Sequence, residues 1–240
     1  MILPRGALLN FATVLVGAQI GLALGSGVPV AYRTIALSGL GLVVIGIGTK
    51  MFLGSRSGLV VAAAVSLGGI AGAMIGIDAG LQGFAEFMRQ QTGGTDAAQF
   101  NGALVATSVL FCVGPMTLLG CMQDALEHKL DLIAVKSTMD GVAAVFFAAA
   151  SRSAGLGVLV TAGIVLVCQS TLTWGARQLK PIASDGDLLA ELSATGGIML
   201  IGIGLGLLNI KQLPMANYLP ALVFAPLFVL AGRRFQRKDA

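Results

Sequence analysis

Apolar runs of about twenty residues recur along this chain, the length a helix needs to cross the hydrocarbon of a bilayer. Eight stand out, at 7–25, 34–53, 59–80, 102–121, 131–150, 155–174, 188–208 and 217–232. Of the 240 residues, 56% are hydrophobic and 11% are charged, against roughly 25% charged in soluble domains. Such a chain has too little polar surface to clothe a fold in water. The sequence therefore predicts an all-α fold, a polytopic transmembrane helix bundle of about eight spans, with 1–240 as a single membrane domain in the lipid bilayer. The first 27 residues have the layout of a signal peptide. Asn10 and Gln19 interrupt its apolar core, and the later runs must themselves insert, so it reads as the first span.

Connections such as GSRSG (54–58) and SRSAG (151–155) are short and rich in turn residues. The longest interruption, 81–99, reads as an interfacial amphipathic helix, with Phe84, Phe87 and Met88 on one side and Glu86, Arg89 and Gln90 on another. Ser184 and Asp187 in SDGD have capping-box spacing. With eight spans, Arg5, Lys50, Arg56, Lys129, Arg177, Lys180, Arg233, Arg234, Arg237 and Lys238 share one side of the membrane. Arg33, Arg89, Arg152 and Lys211 share the other. Ten against four puts both termini in the cytoplasm. The same placement accounts for the net charge of +4 without a nucleic-acid partner.

GLVVIGIG (Gly41–Gly48) in the second run returns as GIMLIGIG (Gly197–Gly204) in the seventh, and VLV precedes each, at Val14–Val16 and Val165–Val167. Two runs lie between the copies, so spans 1–3 and 6–8 would be inverted three-helix repeats around a central helical hairpin, as in many secondary transporters. The boundaries are repeat A at 1–82, interfacial segment and hairpin at 83–151, and repeat B at 152–240. Glycines recur every four residues at Gly17, Gly21 and Gly25, at Gly68, Gly72, Gly76 and Gly80, and at Gly202 and Gly206. Such faces let helices approach closely, within the chain or in a homo-oligomer.

Ionisable groups at membrane depth cost about 2.5–3.5 kcal/mol each even on the lenient insertion scale, so those present mark sites or paired interior contacts. Lys136 and Asp140 are four apart, on one helix face, with Ser137 beside them. They form either a functional pair or an intrahelical pair that eases insertion, unless Lys136 snorkels to the surface. Asp124 and Glu127 follow Gly114-Pro115, which breaks a helix. If the chain has left the membrane by Leu119 they are a solvated turn; if the break lies at depth, its freed backbone groups must face protein or a wet cavity that Asp124 borders. Gln19 and Gln169 sit near matching places after VLV and could flank a pseudo-symmetric centre. Cys112, Cys121 and Cys168 lie in apolar surroundings and read as packing residues rather than a disulfide framework. The lone His128, with no paired His/Cys set and no hydrolase or nucleotide motif, argues against an enzyme, a metal site or a cofactor.

The segments LFCVGPMTLLGCMQDAL (110–126), KSTMDG (136–141), QSTLTW (169–174), LSATGGIMLIGIGLGLL (192–208) and NYLPAL (217–222), in that order, resemble the YdfK/YqgA-like bacterial inner-membrane proteins, a domain-of-unknown-function family. In that family a Gly-Asp often precedes the Lys-Ser-x-x-Asp element; His128 and Lys129 stand there in this chain, so no role for that acidic residue carries over. The resemblance implies a multi-pass protein of the bacterial inner membrane and brings no activity with it. The residues themselves point to a small secondary transporter or ion-coupled permease for a small solute or ion. Its site would lie at the repeat interface, among Gln19, Asp124, Lys136, Ser137, Asp140 and Gln169, near the Gly114-Pro115 break. The alternative is a non-transporting membrane scaffold or sensor whose buried polar groups are structural.

Overall fold

The computed structural model describes residues 4–25, 29–93, 95–112, 115–176, 178, 180 and 184–236. Gly114 of the anticipated break, and Arg177, Arg237 and Lys238 of the charge count, lie outside them. Among the described residues the chain is helical throughout, without strands. The helices are α1 (Arg5–Gly25), α2 (Val30–Phe52), α3 (Gly58–Ile75), α4 (Ile77–Thr92), α5 (Ala97–Cys112), α6 (Pro115–Glu127), α7 (Asp131–Ala149), α8 (Arg152–Trp174), α9 (Gly186–Leu207) and α10 (Ala221–Gln236), the last preceded by a 3-10 turn at Met215–Tyr218.

Six stretches among the described residues are long and apolar enough to cross a membrane: α1, α3, α7, α8, α9 and Met215–Arg233. The bent pair α5–α6 makes a seventh if it is one span. Of the eight runs expected, α2 falls short by this measure, being apolar over Leu37–Phe52 only. Large apolar side chains such as Ile35, Leu59, Met74, Val135 and Val167 stand exposed around the bundle, as a lipid-facing surface requires.

Backbone chemistry places the breaks. The third run does not continue to residue 80, because Gly76 adopts φ 75°, a left-handed conformation that glycine enters without steric cost. That turn ends α3 and starts α4, so the amphipathic helix covers Ile77–Thr92 rather than 81–99. Phe84 and Phe87 on α4 are exposed, while Met88 packs against Phe100 and Leu104 of α5. The fourth run is likewise two helices, α5 and α6, meeting at 54°. At α9 the cap is Asp185 and not Ser184: Asp185 Oδ1 accepts from the Asp187 and Leu188 amides at 3.0 and 3.2 Å. With the cap one residue later, the carboxylate of Asp187 is left to pair with Arg56 and Arg233.

The helices pair across long stretches of sequence. α1 lies along α7 and against α8, α2 along α9, α3 against α10, and α5 against α8. Glycines set the closest approaches. A Cβ added at Gly48 would sit 2.5 Å from the Gly197 carbonyl oxygen, and one added at Gly197 equally close to that of Gly48. Gly41 and Gly204 face each other in the same way, at 3.2 and 2.9 Å. The first glycine of each repeated octapeptide thus meets the last glycine of the other. Gly17, Gly21 and Gly25 rest on the α7 backbone at Gly141, Val145 and Ala149, and Gly68 and Gly72 on Ala221 and Asn217. At these positions the faces that could serve an oligomer are filled within the chain. The main apolar core joins α1, α2, α5, α7, α8 and α9 around Val14, Val44, Phe111, Phe147, Val165 and Met199.

Candidate functional site

Lys136 and Asp140 occupy one face of α7, one turn apart. Lys136 Nζ lies 2.6 Å from both Asp140 carboxylate oxygens, and their side chains are only 10% and 6% exposed. A second helix completes the pair: Asn10 of α1 donates from Nδ2 to Asp140 Oδ2 at 2.9 Å. Lys136 Nζ also donates to the Phe111 carbonyl at 3.3 Å and lies 5.7 Å from the Phe111 ring centroid. A buried ion pair is tolerable only with such added hydrogen bonds, because two charges leave water together.

The availability of that carbonyl is written in the sequence. In a helix the carbonyl of residue i accepts from the amide of i+4. Four residues after Phe111 stands Pro115, which has no amide hydrogen. The Phe111 oxygen therefore takes two side-chain donors instead, Lys136 and the Thr117 hydroxyl at 3.2 Å. The bend between α5 and α6 and the charge on α7 meet at one backbone atom.

Asp124 belongs to α6 and is buried at 1% exposed. Its Oδ2 accepts from the Gly6 amide at 2.8 Å, so it is neither a solvated turn residue nor part of the Lys136 cluster. It places a carboxylate at the amino end of α1, where the helix dipole and an otherwise unmatched amide both favour an anion. Arg5 Nε approaches Asp124 Oδ1 at 3.6 Å, and the Arg5 guanidinium also donates to the His128 carbonyl at 2.9 Å. Glu127 and Lys129 form an exposed pair.

Glu191, which sequence reasoning did not single out, plays for α3 the part that Asp124 plays for α1. It is 1% exposed on α9. Its Oε1 accepts from the Arg56 and Ser57 amides at 2.7 and 2.8 Å, and its Oε2 from the Ser55 hydroxyl at 2.7 Å, at the start of α3. A carboxylate inside an apolar run was the signal available for it. Beside it Arg233 holds Asp185 through two hydrogen bonds of 2.5 and 3.0 Å. That guanidinium, helped by the Leu188 amide, keeps the Asp185 carboxyl well below the usual carboxylate range.

The remaining candidates separate. Gln169 is fully buried in α8, and neither its Oε1 nor its Nε2 has a hydrogen-bond partner. Ser137 Oγ and Asp124 Oδ1 are also buried without one. Such groups ordinarily mark ordered water or a ligand. Asn10, Lys136 and Gln169 each stand five residues from the same end of the bundle on α1, α7 and α8, about 7.5 Å inward at a helical rise of 1.5 Å per residue. Gln19 does not join them: it is exposed on the outer face of α1. It follows its VLV by three residues where Gln169 follows by two, and one residue turns a helical side chain by about 100°. Pro115 starts α6.

Comparison with known proteins gives the same picture at the level of the whole chain. A family model described as "Protein of unknown function (DUF554)" matches residues 5–230. The chain is similar to "Uncharacterized protein YqgA" of Escherichia coli (strain K12), 29% identical over 224 residues, covering 92% of this chain and 94% of that protein. It is also similar to "Uncharacterized membrane protein YdfK" of Bacillus subtilis (strain 168), 23% identical over 234 residues, covering 96% and 97%. No solved structure matches it. With membrane-length helices along the chain and a family match from Arg5 to Leu230, this protein is a multi-pass membrane protein that belongs to the DUF554 family.

Proposed function

We propose that this protein is a small secondary transporter or ion-coupled permease, not an enzyme, working in the bacterial inner membrane with both termini in the cytoplasm. The observation that carries the reading is the buried Lys136–Asp140–Asn10 cluster seated on the Phe111 carbonyl at a helix break. Asp140 is its carrier of a proton or cation and Lys136 the alternating partner: when one charge leaves, the other must be neutralised or rehydrated, which ties occupancy to conformation. The unpartnered Gln169 and Ser137 supply further polar contacts at similar depth. Support for an inverted repeat comes from the crosswise meeting of Gly41 with Gly204 and Gly48 with Gly197, the reciprocal contact that a two-fold axis generates. The pairing of α1 with α8, α2 with α9 and α3 with α10 agrees with it.

The test is flux in proteoliposomes loaded with a pH-sensitive dye, under imposed sodium, potassium and pH gradients and a panel of small solutes. Asp140→Asn is expected to reduce flux at least tenfold with the fold retained; full flux in that variant removes Asp140 from the mechanism. The complete internal pairing of Lys136 and Asp140 favours a second reading, a non-transporting scaffold or sensor. Under it, Lys136→Met combined with Asp140→Leu folds and functions normally, since a buried pair can be replaced by apolar residues without loss.

A further inference from the structure

At the end of the bundle opposite Asp124 and Glu191, a cavity of about 780 Å³ opens between α2, α4, α5, α7, α9 and the 212–215 segment. Cavities of roughly 300–1,000 Å³ hold compact organic ligands. Its mouth is polar, with Asp78, Gln82, Gln99, Asn101 and Gln212; its floor is apolar, with Val105, Ala106, Phe147, Ile203 and Met215. From Gln99 to Ala106 along α5 is seven residues, so the cavity reaches about 10 Å inward. It stops short of the Lys136–Asp140 pair, which lies deeper along α7.

We propose that this cavity binds a small organic cation, an ammonium group carried on a short apolar body. Asp78 is the only ionisable side chain in the lining, and no Lys, Arg or His contributes to it among the described residues. Within a turn of the cavity lie the amino ends of α4, α5 and α8 and the carboxyl ends of α7 and α9, so the dipoles leave about half a positive charge, which the full charge of Asp78 exceeds. One acceptor in the lining is unused and two amide donors are already engaged. Asn101 Oδ1 is buried with no donor, Gln82 Nε2 is held by Asp78 Oδ2 at 2.5 Å, and Gln212 Nε2 donates to the Gly206 carbonyl at 3.1 Å. The buried Asn101 Oδ1 is thus an acceptor open to a ligand that brings a donor. A carboxylate would face Asp78 with no cation in the described lining to offset it, in a site part-way out of water where like charges repel more strongly. The apolar floor takes the hydrocarbon part of the ligand. The inference does not depend on the solute being carried through the membrane.

Binding of three probes of equal shape to the purified full-length protein in nanodiscs tests it: phenethylammonium, phenethyl alcohol and phenylacetate, followed by calorimetry. The cation is expected to bind saturably and at least tenfold more tightly than phenylacetate, with the alcohol between. Asp78→Asn should weaken the cation about tenfold and leave the alcohol unchanged. Gln99→Trp, at an exposed mouth position where folding is not at stake, should weaken all three. Phenylacetate binding as tightly as the cation overturns the proposal. So does the absence of saturable cation binding, or binding that neither variant alters, which is partition into lipid only. Repeating the titration with Asp140→Asn separates the two readings: cation binding is expected unchanged there, so a loss of flux alone touches only the transport assignment.

Discussion

Two buried carboxylates each close the start of a distant helix. Asp124 receives the Gly6 amide, and Glu191 receives the Arg56 and Ser57 amides with the Ser55 hydroxyl. Truncating Glu191 leaves three donors without an acceptor, at about 1–3 kcal/mol for each that stays buried. Glu191→Ala is therefore expected to lower unfolding free energy by about 3 kcal/mol or more in a denaturant titration in mild detergent. Glu191→Gln keeps one acceptor oxygen and should fall between; a neutral result for Glu191→Ala would show that water satisfies these amides. The sequence made Lys136 and Asp140 legible because both lie on one turn of one helix. Pro115 made a carbonyl freed from helical pairing legible for a covalent reason. Asn10, Glu191 and the amide partner of Asp124 were not legible, because their contacts close over 118 to 136 positions and no local period encodes such a closure.

Among the helices, glycine placement decides which pairs approach most closely. The seam between α2 and α9 has no room for a side chain at either end of its octapeptides. Gly48→Leu or Gly197→Leu must push the two backbones apart or force strained rotamers, typically about 1–3 kcal/mol and occasionally more. Each is expected to lower the midpoint of thermal unfolding in detergent, whereas Gly46→Leu, with nothing within 4 Å of its added Cβ, should leave it unchanged. Equal loss at Gly46 would mean that helix flexibility, and not the seam, is at issue. The recurrence of IGIG marks Gly48 and Gly204 in the sequence itself. The helix ends were harder to read: Gly76 stood in a regular series with Gly68 and Gly72, yet it turns the chain where they pack it. Only the partner present at Gly68 and Gly72 and absent at Gly76 separates the two roles.

Across the whole molecule, Lys129 and Asn209 stand at opposite ends of the bundle, at the start of α7 and just beyond α9. Single cysteines there, in a chain with Cys112, Cys121 and Cys168 changed to serine, test the orientation. An impermeant maleimide added to intact spheroplasts is expected to label Asn209→Cys and to reach Lys129→Cys only after permeabilisation. The reverse pattern would invert the topology, and labelling of both from outside would rule out an odd number of crossings between them. The crosswise glycine seam also bears on how such a chain is made. Gly48 leaves the ribosome about 150 residues before Gly197, a wait on the order of ten to thirty seconds at bacterial-scale rates of synthesis. Until then the smooth face of α2 has no α9 to meet, so this seam closes only as translation nears its end.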